Sequence, residues 1–501
     1  MAVNRLPPLI VDLDGSLLRT DTLHESLAVA LSRPRVLITA GWQLARHGRA
    51  ALKRYLASQV TIDVGLLPAN QKVVAFITAE HTADRVIHLA TGADAALAAQ
   101  AQSRFPQFEL AFASDGRTNL TSQNKADLLV AKFGAQGFDY IGNSTKDRAV
   151  WSQANRAYLV SNRSSTQLLP RWARDIQFAA IFSEDSGPKW RVWLKELRIH
   201  QSLKNVLLFL PILAAHAFEA KNLLLLLAGF IAFTLMASSV YLLNDLLDLR
   251  SDRLHSRKSL RPIASGWILP GHALVASAGL ATLALGAAIA IGPGFTIVLV
   301  TYAALTCLYS FWLKRVTLVD VTVLAMLYMI RILAGAVIAH IELSIWFTGV
   351  TLFLFISLAL VKRFTELTRP TTPAISTDAG TEADHTLPGR GYTRSDSTIV
   401  LALGVGAGMA VLLLLAIYLQ SAAVALLYPS GIFLWLVIPA LFYWIGNIWI
   451  QAGRGAMHDD PIIFALKNPA SLVSGGIIGL LFVAASTPVA SLAETVFTSV
   501  G

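Results

Sequence analysis

Three side chains with oxygen ligands, Asn244, Asp248 and Asp252, follow one another at intervals of four residues in the string NDLLDLRSD. On a helix, this interval places the three side chains along one face. Magnesium in proteins prefers oxygen ligands, takes one or two carboxylates and completes its shell with substrate phosphates and water. The row therefore indicates a magnesium site for a substrate that carries a diphosphate.

Cationic side chains come directly after this row, and they are Arg253, His255, Lys258 and Arg261. Guanidinium and ammonium groups donate strong hydrogen bonds to phosphate oxygens. Together with a magnesium ion, they suit a polyanionic substrate. The ordinary alternative is a solvated helix of mixed charge beside a membrane, which the regular spacing of the carboxylates disfavours.

A second group of polar side chains belongs to the string LYSFWLKRVTLVD, which contains Tyr309, Lys314 and Asp320. Tyr328 and Arg331 lie eight and eleven residues after Asp320, and these intervals return both side chains to roughly the same helix face. A charge deep in a membrane helix costs roughly 2.5 to 3.5 kcal/mol on insertion scales, so by default it faces a cavity or a partner. We therefore predict that Asp320, Tyr328 and Arg331 line the wall of a cavity.

The elements that must position these residues are long apolar runs. Of the 501 residues, 54% are hydrophobic and only 14% are charged, which predicts a membrane part. Because a spanning helix needs about 20 apolar residues, the region from residue 205 onward predicts an all-α bundle of nine transmembrane helices. Their centres lie near Ile212, Ala232, Ala281, Tyr302, Tyr328, Leu354, Leu412, Val437 and Leu480. The first of these runs is the shortest.

The distribution of basic residues predicts how these helices are oriented. The first residues contain no basic stretch followed by an apolar one, so they do not resemble a secretory signal and are expected in the cytoplasm. The loops that would then face the cytoplasm hold most of the lysines and arginines, whereas the outer loops hold only Lys221. We expect a multi-pass protein of a bacterial inner (plasma) membrane, with cytoplasmic active sites and its C-terminus outside.

Composition also limits partners and divides the chain. The net charge of +10 follows from loops that face an anionic leaflet, so no nucleic acid partner is needed. Cys307 is the only cysteine, which excludes an internal disulfide and a cysteine-based metal cluster. Residues 1–185 mix charged and apolar residues like a globular domain, and residues 186–501 form the membrane domain. The stretch from Ser183 to Lys189 has the composition of a linker.

The globular part begins with an apolar strand that leads into two acids, Asp12 and Asp14, in the string LIVDLDGSLLRTDTL. This string resembles the first motif of the haloacid dehalogenase-like phosphatases. The resemblance implies that Asp12 is a nucleophile and that Asp14 is its acid/base partner. The chemistry is consistent, because a carboxylate attacks phosphorus only when magnesium and cations neutralise the repulsion between the anions.

Three further strings, VIHLATG, NKADLL and YIGNSTKD, follow in the order of that family. The resemblance implies that Thr91 binds phosphate, that Lys125 neutralises charge and that Asp147 binds the metal together with Asp12 and Asp14. It also implies an α/β, Rossmann-like fold with a helical cap from residue 24 to about residue 82. Asn143 stands where many members have an acid, so a degenerate domain with a structural or regulatory role is the alternative.

The carboxylate row resembles the first acidic motif of the UbiA superfamily of intramembrane prenyltransferases, whose members have nine transmembrane helices. Asp320 matches the first acid of their second motif, but Leu324 stands four residues later where a second acid is usual. The strings LRIHQSLKN, DRLHSRKSLRPIASG, LSIWFTGVTLF and KRFTEL resemble one branch, the decaprenyl-phosphate phosphoribosyltransferases. The likeness covers about residues 195 to 470.

That branch implies a magnesium-dependent transfer of 5-phosphoribosyl from phosphoribosyl diphosphate to a polyprenyl phosphate, with release of diphosphate. Asn244, Asp248, Asp252 and Asp320 would hold magnesium and diphosphate, with the three acids as catalytic residues. The substrate-binding residues would be Lys204, Arg253, His255, Lys258, Arg261, Tyr309, Lys314, Tyr328, Arg331, Lys362 and Arg363.

The fusion of the two parts suggests that the phosphatase removes the 5-phosphate from the product of the transferase. Two other functions compete with this interpretation. One is a prenyltransferase that moves a polyprenyl group from its diphosphate to an aromatic acceptor, for which the same carboxylate row would serve. The other is a transporter or lipid-binding membrane protein, which the clustering of polar residues at one membrane face disfavours.

Overall fold

The computed structural model describes residues 6–161, 169–183, 187–369, 390–457 and 461–486. The chain forms two compact units. The sheet unit consists of Met1–Arg198 and Tyr241–Gly279, and the helical unit consists of Ile199–Val240 and Leu280–Gly501. The carboxylate row thus belongs to the sheet unit. The predicted domains in chain order, 1–185 and 186–501, stay a prediction.

Six parallel strands form one sheet in the order β3-β2-β1-β4-β5-β6. Their bounds are Leu9–Val11 (β1), Ile87–Asp94 (β2), Leu110–Ser114 (β3), Asp139–Gly142 (β4), Ala157–Val160 (β5) and Phe178–Phe182 (β6). The central strand β1 is an entirely buried apolar run, as expected of a parallel strand that is covered on both faces. The carboxyl ends of the strands share one edge, where open α/β sheets bind their ligands. The predicted parallel α/β fold is therefore present.

Seven helices accompany these strands, and they are Thr22–Ala30 (α1), Pro34–Gln59 (α2), Gln71–Thr82 (α3), Ala95–Arg104 (α4), Gln123–Phe133 (α5), Arg148–Trp151 (α6) and Lys189–Glu196 (α7). The first three occupy the region of the predicted cap. Helix α1 begins after Asp21, whose carboxylate accepts hydrogen bonds from the backbone N–H groups of Leu23 and His24. Helix α2 bends at Gly48, where φ is +78°.

The described residues that follow α7 are mainly helical. Their helices are Leu210–Ala214 (α8), Ala220–Leu247 (α9), Leu249–Leu254 (α10), Pro270–Ile291 (α11), Pro293–Phe311 (α12), Val319–Ala339 (α13), Ile345–Thr368 (α14), Ser397–Leu419 (α15), Ala422–Leu427 (α16), Ile432–Trp435 (α17), Val437–Gly453 (α18), Pro461–Lys467 (α19) and Pro469–Ser486 (α20). In the described residues, eight helices are long and apolar enough to cross a membrane.

The predicted count of nine is therefore wrong by one for the described residues. The run centred near Ile212 forms the shorter apolar stretch Ile199–Ala214. Its first part, Ile199–Phe209, is a 3₁₀ helix, and only Leu210–Ala214 is α-helical. The stretch falls short of the roughly 20 residues that a spanning α-helix needs.

Small residues allow close packing within the helical unit. A Cβ atom on Gly335 of α13 would lie 1.9 Å from the carbonyl oxygen of Leu208, so only glycine allows this approach. A Cβ atom on Gly404 of α15 would lie 2.1 Å from the ring of Trp449 on α18. The first contact places the segment 199–209 against α13, the helix that carries Asp320 and Arg331, and the second packs α15 against α18.

Candidate active sites

The carboxylate row lies where α9 ends and the short helix α10 begins. Asp248 is the residue between them, with φ −89° and ψ +6°. The backbone N–H of Asp248 still donates to the carbonyl of Asn244 at 2.9 Å, and that of Asp252 donates to the carbonyl of Asp248 at 2.8 Å. The three residues therefore follow one another by single turns, which is the arrangement that their spacing predicts.

A cluster of opposite charges surrounds the end of this row. Asp252 is buried, and its Oδ2 lies 2.5 Å from Nη1 of Arg261. The same guanidinium nitrogen lies 2.8 Å from Oδ1 of Asp245, and Nη2 of Arg198 lies 2.5 Å from Oδ2 of Asp245. Lys258 stands at the other side, with its Nζ 3.7 Å from Oδ1 of Asp252. The structure thus brings Asp252, Lys258 and Arg261 together as predicted residues of one site.

Asp245 and Arg198 are members of this cluster that the spacing argument missed. Asp245 adjoins Asn244, but it does not share the interval of four that defines the row. Arg198 is 47 residues away from Asp245 in the chain, and its charge stacks at 5.1 Å over the ring of Tyr241. In the sequence, only the string LRIHQSLKN, which contains Arg198, indicated that this residue could belong to a site.

Burial perturbs two carboxyl groups of the cluster. The pKa of Glu196 is raised to about 8, first by burial and then by the nearby charge of Asp245. Burial also raises the pKa of Asp252, although Arg261 and Lys258 oppose the shift. Carboxyl groups with such perturbed pKa values are characteristic of functional sites.

The donor set of this cluster suits a magnesium ion. Oδ1 of Asp252 is buried and accepts no hydrogen bond in the described structure, so a lone pair remains for a ligand. Asn244 and Asp248 precede Asp252 by two turns and one turn of the same row, and their role as further oxygen ligands stays a prediction. No three histidine, cysteine or acidic side chains converge on a ready metal site within the described ranges. Magnesium does not need three, because one or two carboxylates with substrate phosphates suffice.

Two of the predicted cationic ligands have other surroundings. The guanidinium of Arg253 forms a buried, two-pronged ion pair with Glu25 of α1, with nitrogen–oxygen distances of 2.7 and 2.9 Å. Its Nε also donates to the carbonyl of Ala264 at 3.0 Å. His255 is exposed, and its Nδ1 accepts from the backbone N–H of Arg257. In this structure Arg253 joins α1 to the segment after α10, and its role toward substrate stays a prediction.

Asp320 occupies a buried ionic network of the helical unit. Its Oδ2 lies 2.6 Å from Nη2 of Arg363, and both side chains are 0% exposed. Its Oδ1 accepts a hydrogen bond from the hydroxyl of Tyr392 at 2.7 Å. Arg390 lies 3.8 Å from the same carboxylate and donates to the hydroxyl of Tyr309 at 2.9 Å. The carboxylate of Asp320 is thus neutralised by Arg363, and its role as a metal ligand stays a prediction.

Arg331 is buried in α13 and has polar partners, as its depth in an apolar helix predicts. Its Nε donates to Oδ1 of Asn205 at 2.9 Å, and its Nη2 donates to the hydroxyl of Tyr302 at 3.2 Å. Its guanidinium carbon lies 6.0 Å from the ring centre of Tyr328, and Nζ of Lys204 lies 5.7 Å from the same ring. The predicted residues Lys204, Tyr328 and Arg331 therefore lie together.

Two lysines of the prediction, Lys314 and Lys362, are half-buried. Lys314 belongs to the 3₁₀ turn Leu313–Arg315 that joins α12 to α13, and Lys362 lies near the end of α14. Lys362 directly precedes the buried Arg363. Their roles toward substrate stay predictions.

The acids of the DxDG turn lie at the carboxyl edge of the sheet. Nζ of Lys125 lies 2.7 Å from Oδ1 of Asp12 and 2.9 Å from the hydroxyl of Tyr140. That hydroxyl donates to Oδ1 of Asp147 at 2.8 Å. Oδ2 of Asp147 accepts the backbone N–H groups of Asn143 and Ser144. The structure thus brings Asp12, Lys125 and Asp147 into one buried network.

The two acids of the turn differ in their pKa values. Burial raises the pKa of Asp12 to about 6, while the charge of Lys125 opposes the shift. Burial and the charge of Asp21 raise the pKa of Asp14 to about 8. The carboxylate of Asp14 accepts hydrogen bonds from the backbone and the hydroxyl of Thr22. The surroundings therefore favour a proton on Asp14 over a proton on Asp12.

Thr91 of β2 and Lys53 of α2 complete this edge. Thr91 is buried, and its hydroxyl accepts the backbone N–H of Ala93 at 3.0 Å. Lys53 of α2 reaches the same strand, where its Nζ donates to the carbonyl of Gly92 at 2.5 Å and to Asn119 at 3.0 Å. Lys53 was not predicted as a site residue, because a single lysine in an amphipathic helix belongs to no recognisable sequence pattern.

The family model described as UbiA prenyltransferase family matches residues 205–460, which is half of the chain. The chain belongs to the UbiA prenyltransferase family. It is therefore a multi-pass membrane transferase of this superfamily. Residues 1–204, which contain the sheet and the DxDG turn, lie outside the match.

Relatives of this UbiA chain differ in how much of it they share. The uncharacterized protein y4nM of Sinorhizobium fredii is 35% identical over 96% of this chain and 92% of its own length. The decaprenyl-phosphate phosphoribosyltransferase of Mycobacterium tuberculosis is 35% identical over 179 residues, which are 35% of this chain and 59% of that relative. A UbiA homolog from Archaeoglobus fulgidus bound to DMAPP and Mg2+ is 16% identical, covers 59% of this chain and 99% of its own, and has a TM-score of 0.42.

Proposed function

We propose that this UbiA-family chain transfers a 5-phosphoribosyl group from phosphoribosyl diphosphate to a polyprenyl phosphate and releases diphosphate. The observation that carries the proposal is the ionic cluster at the carboxylate row, where the buried carboxylate of Asp252 lies between Lys258 and Arg261 and its Oδ1 accepts no hydrogen bond. A donor with a diphosphate and a separate 5-phosphate needs metal-binding oxygens and cations together. The named phosphoribosyltransferase from Mycobacterium tuberculosis supports this donor.

In this reaction the bond between C1 of the ribose and the diphosphate oxygen breaks, and the diphosphate keeps the bonding electrons. An oxygen of the lipid phosphate then forms the new bond to C1. Magnesium, when bound, would offset the negative charge of the diphosphate. Lys258 and Arg261 stabilise the same leaving charge by hydrogen bonds, and the row from Asn244 to Asp252 orients the donor. Most of the catalysis thus comes from the positioning of the two substrates and from cationic groups that already surround the site of the leaving diphosphate before the reaction.

We also propose that the sheet unit contains a haloacid dehalogenase-like phosphatase site. Asp12 attacks phosphorus, Asp14 gives its proton to the departing ester oxygen, and Lys125 offsets the charge of the phosphoryl group. Asp14, now deprotonated, then takes a proton from a water molecule, whose oxygen attacks the phosphorus of the phosphorylated Asp12, and the bond between phosphorus and the Asp12 oxygen breaks to release phosphate and free Asp12. The support is the buried network at the carboxyl edge of the sheet, where Nζ of Lys125 lies 2.7 Å from Oδ1 of Asp12 and the hydroxyl of Tyr140 links Lys125 to Asp147. Burial raises the pKa of Asp14 further than that of Asp12, which agrees with the acid role of Asp14.

For the location we propose an inner (plasma) membrane, with both sites in the cytoplasm and the C-terminus outside. The basic residues of alternate loops support this orientation. The site of phosphoribosyl transfer and the phosphatase site would then meet substrates of one compartment, so that a 5-phosphate added by the first could be removed by the second.

Label transfer tests the transferase. The purified chain in detergent is incubated with magnesium, polyprenyl phosphate and phosphoribosyl diphosphate labelled in the ribose, and label is followed into the lipid phase. We expect Asp252→Asn to lower the transfer at least a hundredfold, which corresponds to about 2.7 kcal/mol. The exposed Asp175→Asn serves as the matched control and should transfer at the wild-type rate. Undiminished transfer by Asp252→Asn would remove the carboxylate row from the mechanism.

Hydrolysis of methyl ribofuranoside 5-phosphate tests the phosphatase site. The wild-type chain should release phosphate in the presence of magnesium, and Asp12→Asn should not. Asp175→Asn is again the control. Equal release by wild type and Asp12→Asn would assign the hydrolysis to another site or to a contaminant.

The family match favours a second candidate, a prenyl transfer from a polyprenyl diphosphate to an aromatic acceptor, because the matching family is described as a prenyltransferase family. The same ionic cluster would then bind the diphosphate of the lipid. The two candidates differ in the molecule that carries the diphosphate, and a competition between the two donors separates them.

A further inference from the structure

A cavity of about 820 Å³ opens at the carboxyl edge of the sheet, entirely within the sheet unit. Gly15, Asn143 and Ser161 line it, and they directly follow the ends of β1, β4 and β5 or their first turns. Its volume lies in the range of roughly 300 to 1,000 Å³ that is usual for sites of drug-sized ligands. Inorganic phosphate or a small sugar phosphate would leave most of it empty.

Part of the wall comes from an unexpected stretch of chain, Gly266–His272, which precedes and begins the apolar helix α11. Gly266 has φ +80°, and a Cβ atom there would lie 2.9 Å from side-chain carbons of Arg19 and Pro68. The guanidinium carbon of Arg19 lies 4.9 Å from the ring centre of Trp267. This stretch therefore packs directly against the loop that follows the DxDG turn.

A buried ion pair holds the same stretch in place. Arg253 lies on α10, upstream of the stretch, and it binds Glu25 on α1 through both guanidinium ends. The hydroxyl of Thr20 also donates to Glu25. A Cβ atom on Gly271 would lie 2.9 Å from the ring of His24. The stretch thus packs against α1 through Gly271, and Arg253, 13 residues before Gly266, binds the same helix.

The lining has two chemical characters. Cationic groups come from Arg19 and Lys189, which suit an anionic ligand, and His272 adds an imidazole. Large apolar surfaces come from Trp172, Trp193 and Trp267. Tryptophan is suited to ligands that have an apolar body and a polar end. A ligand that fits both characters carries a phosphate near an apolar chain.

We propose that this cavity is the substrate site of the phosphatase and that it takes phosphate monoesters attached to an apolar chain, with Trp267 as a specificity-determining residue. The inference rests on the phosphatase activity proposed above. The phosphate lies toward the DxDG turn, and the apolar chain lies along Trp267 and Trp193. Trp267 lies three residues before the start of α11, which is long and apolar enough to cross a membrane, so the wall of the cavity continues in the chain into an apolar helix.

Two matched esters test the proposal, methyl and decyl ribofuranoside 5-phosphate, which differ only in the alkyl chain. With the full chain in lipid nanodiscs and magnesium present, we expect kcat/KM to be at least tenfold higher for the decyl ester. Trp267→Ala should reduce that ratio to below threefold, chiefly by raising KM for the decyl ester, and Trp267→Phe should restore most of it. The matched control is Trp190→Ala, because Trp190 is exposed on α7 and does not line the cavity.

The outcomes separate the cavity from the activity. Equal kcat/KM for both esters in the wild type overturns the cavity proposal and leaves the phosphatase standing. A decyl preference that survives in a folded Trp267→Ala variant shows that partition into the bilayer causes it, and this also overturns the proposal. Hydrolysis of neither ester overturns the phosphatase function and the inference with it. Thermal unfolding of each variant shows whether it is folded.

Discussion

At the scale of single residues, chemistry in the sheet unit depends on carboxyl groups whose surroundings differ although their types are the same. Asp12 faces the ammonium of Lys125, whereas Asp14 faces Thr22 and the charge of Asp21. The string DLDG predicted a nucleophile and an acid, but only the positions of Lys125 and Asp21 show why the pKa of Asp14 is the higher one. These positions depend on the fold, since Lys125 is 113 residues away from Asp12.

The separation of these pKa values predicts a bell-shaped pH dependence of phosphate release. Asp12 must be ionised to attack, so the rate should rise as pH increases through about 6. Asp14 must be protonated to act as an acid, so the rate should fall as pH increases through about 8. The measurement is kcat/KM for methyl ribofuranoside 5-phosphate between pH 4.5 and pH 9.5.

A control substrate distinguishes the two limbs. The nitrophenolate of p-nitrophenyl phosphate leaves without a proton, so the fall above about pH 8 should weaken for this ester while the rise through about pH 6 remains. An alkaline limb of equal steepness with both esters would contradict the assignment of Asp14 as the acid.

Glu196 predicts a pH dependence of stability. Its pKa is about 8 in the folded chain, against 4.5 for an ordinary glutamate, so the folded state binds the proton more tightly. Its contribution therefore favours folding below about pH 4.5 and is lost as pH rises through about 8. When the pH is raised from 6 to 9, we expect the Tm of Glu196→Gln to fall less than the Tm of the wild type, because the glutamine side chain needs no proton.

The comparison requires Tm in detergent at each pH, with the exposed Glu109→Gln as the matched control. The control should follow the wild type. A Tm of Glu196→Gln that falls with pH as steeply as that of the wild type would show that Glu196 is ionised in the folded chain.

At the scale of elements, the apolar runs and the first strand were predictable because each rests on a local pattern. The long helices α9, α11, α12, α13 and α14 contain their predicted centres. The segment 199–209 was not predictable, since its 3₁₀ form accompanies a close contact between Leu208 and Gly335. No period of the sequence encodes such a contact.

The pairing of α1 with α10 is a second feature that the sequence did not predict. Glu25 and Arg253 are separated by 228 residues, and Arg253 was predicted to be one of the phosphate-binding cations. Because both side chains are buried, loss of one partner leaves a charge unpaired in a dry environment.

Glu25→Gln should therefore destabilise the chain by about 3 kcal/mol. The double variant Glu25→Leu with Arg253→Met should recover much of this loss, because no unpaired charge remains. The measurement is the free energy of unfolding in denaturant for both variants.

The exposed pair of Arg148 and Asp175, whose side chains are 53% and 54% exposed, provides the matched control. Asp175→Asn should cost less than about 1 kcal/mol, as is typical of a surface ion pair. A cost for Glu25→Gln that is no larger than this would mean that the pair with Arg253 is not maintained in solution.

At the scale of the whole molecule, the composition predicted a membrane part joined to a globular part, and both are present. The chain belongs to the UbiA prenyltransferase family through residues 205–460. The compact units are not divided in chain order, because residues 241–279 group with the sheet. A boundary read from composition cannot show this, since it detects where apolar runs begin and not which segments pack together.

This grouping places the ionic cluster of the carboxylate row and the DxDG turn in one compact unit, the sheet unit. The proposed transfer of phosphoribosyl and the proposed removal of a phosphate would thus share a structural unit. The identity of the donor decides whether the two activities concern one substrate.

A competition between donors tests the central claim most directly. The purified chain receives magnesium, polyprenyl phosphate, phosphoribosyl diphosphate, a polyprenyl diphosphate and 4-hydroxybenzoate in one reaction, and the lipid products are identified by mass spectrometry. The account predicts a polyprenyl phosphate enlarged by a phosphoribosyl or ribosyl group, formed by the wild type and by Asp175→Asn but not by Asp252→Asn. A prenylated 4-hydroxybenzoate without any ribose-containing lipid would contradict it.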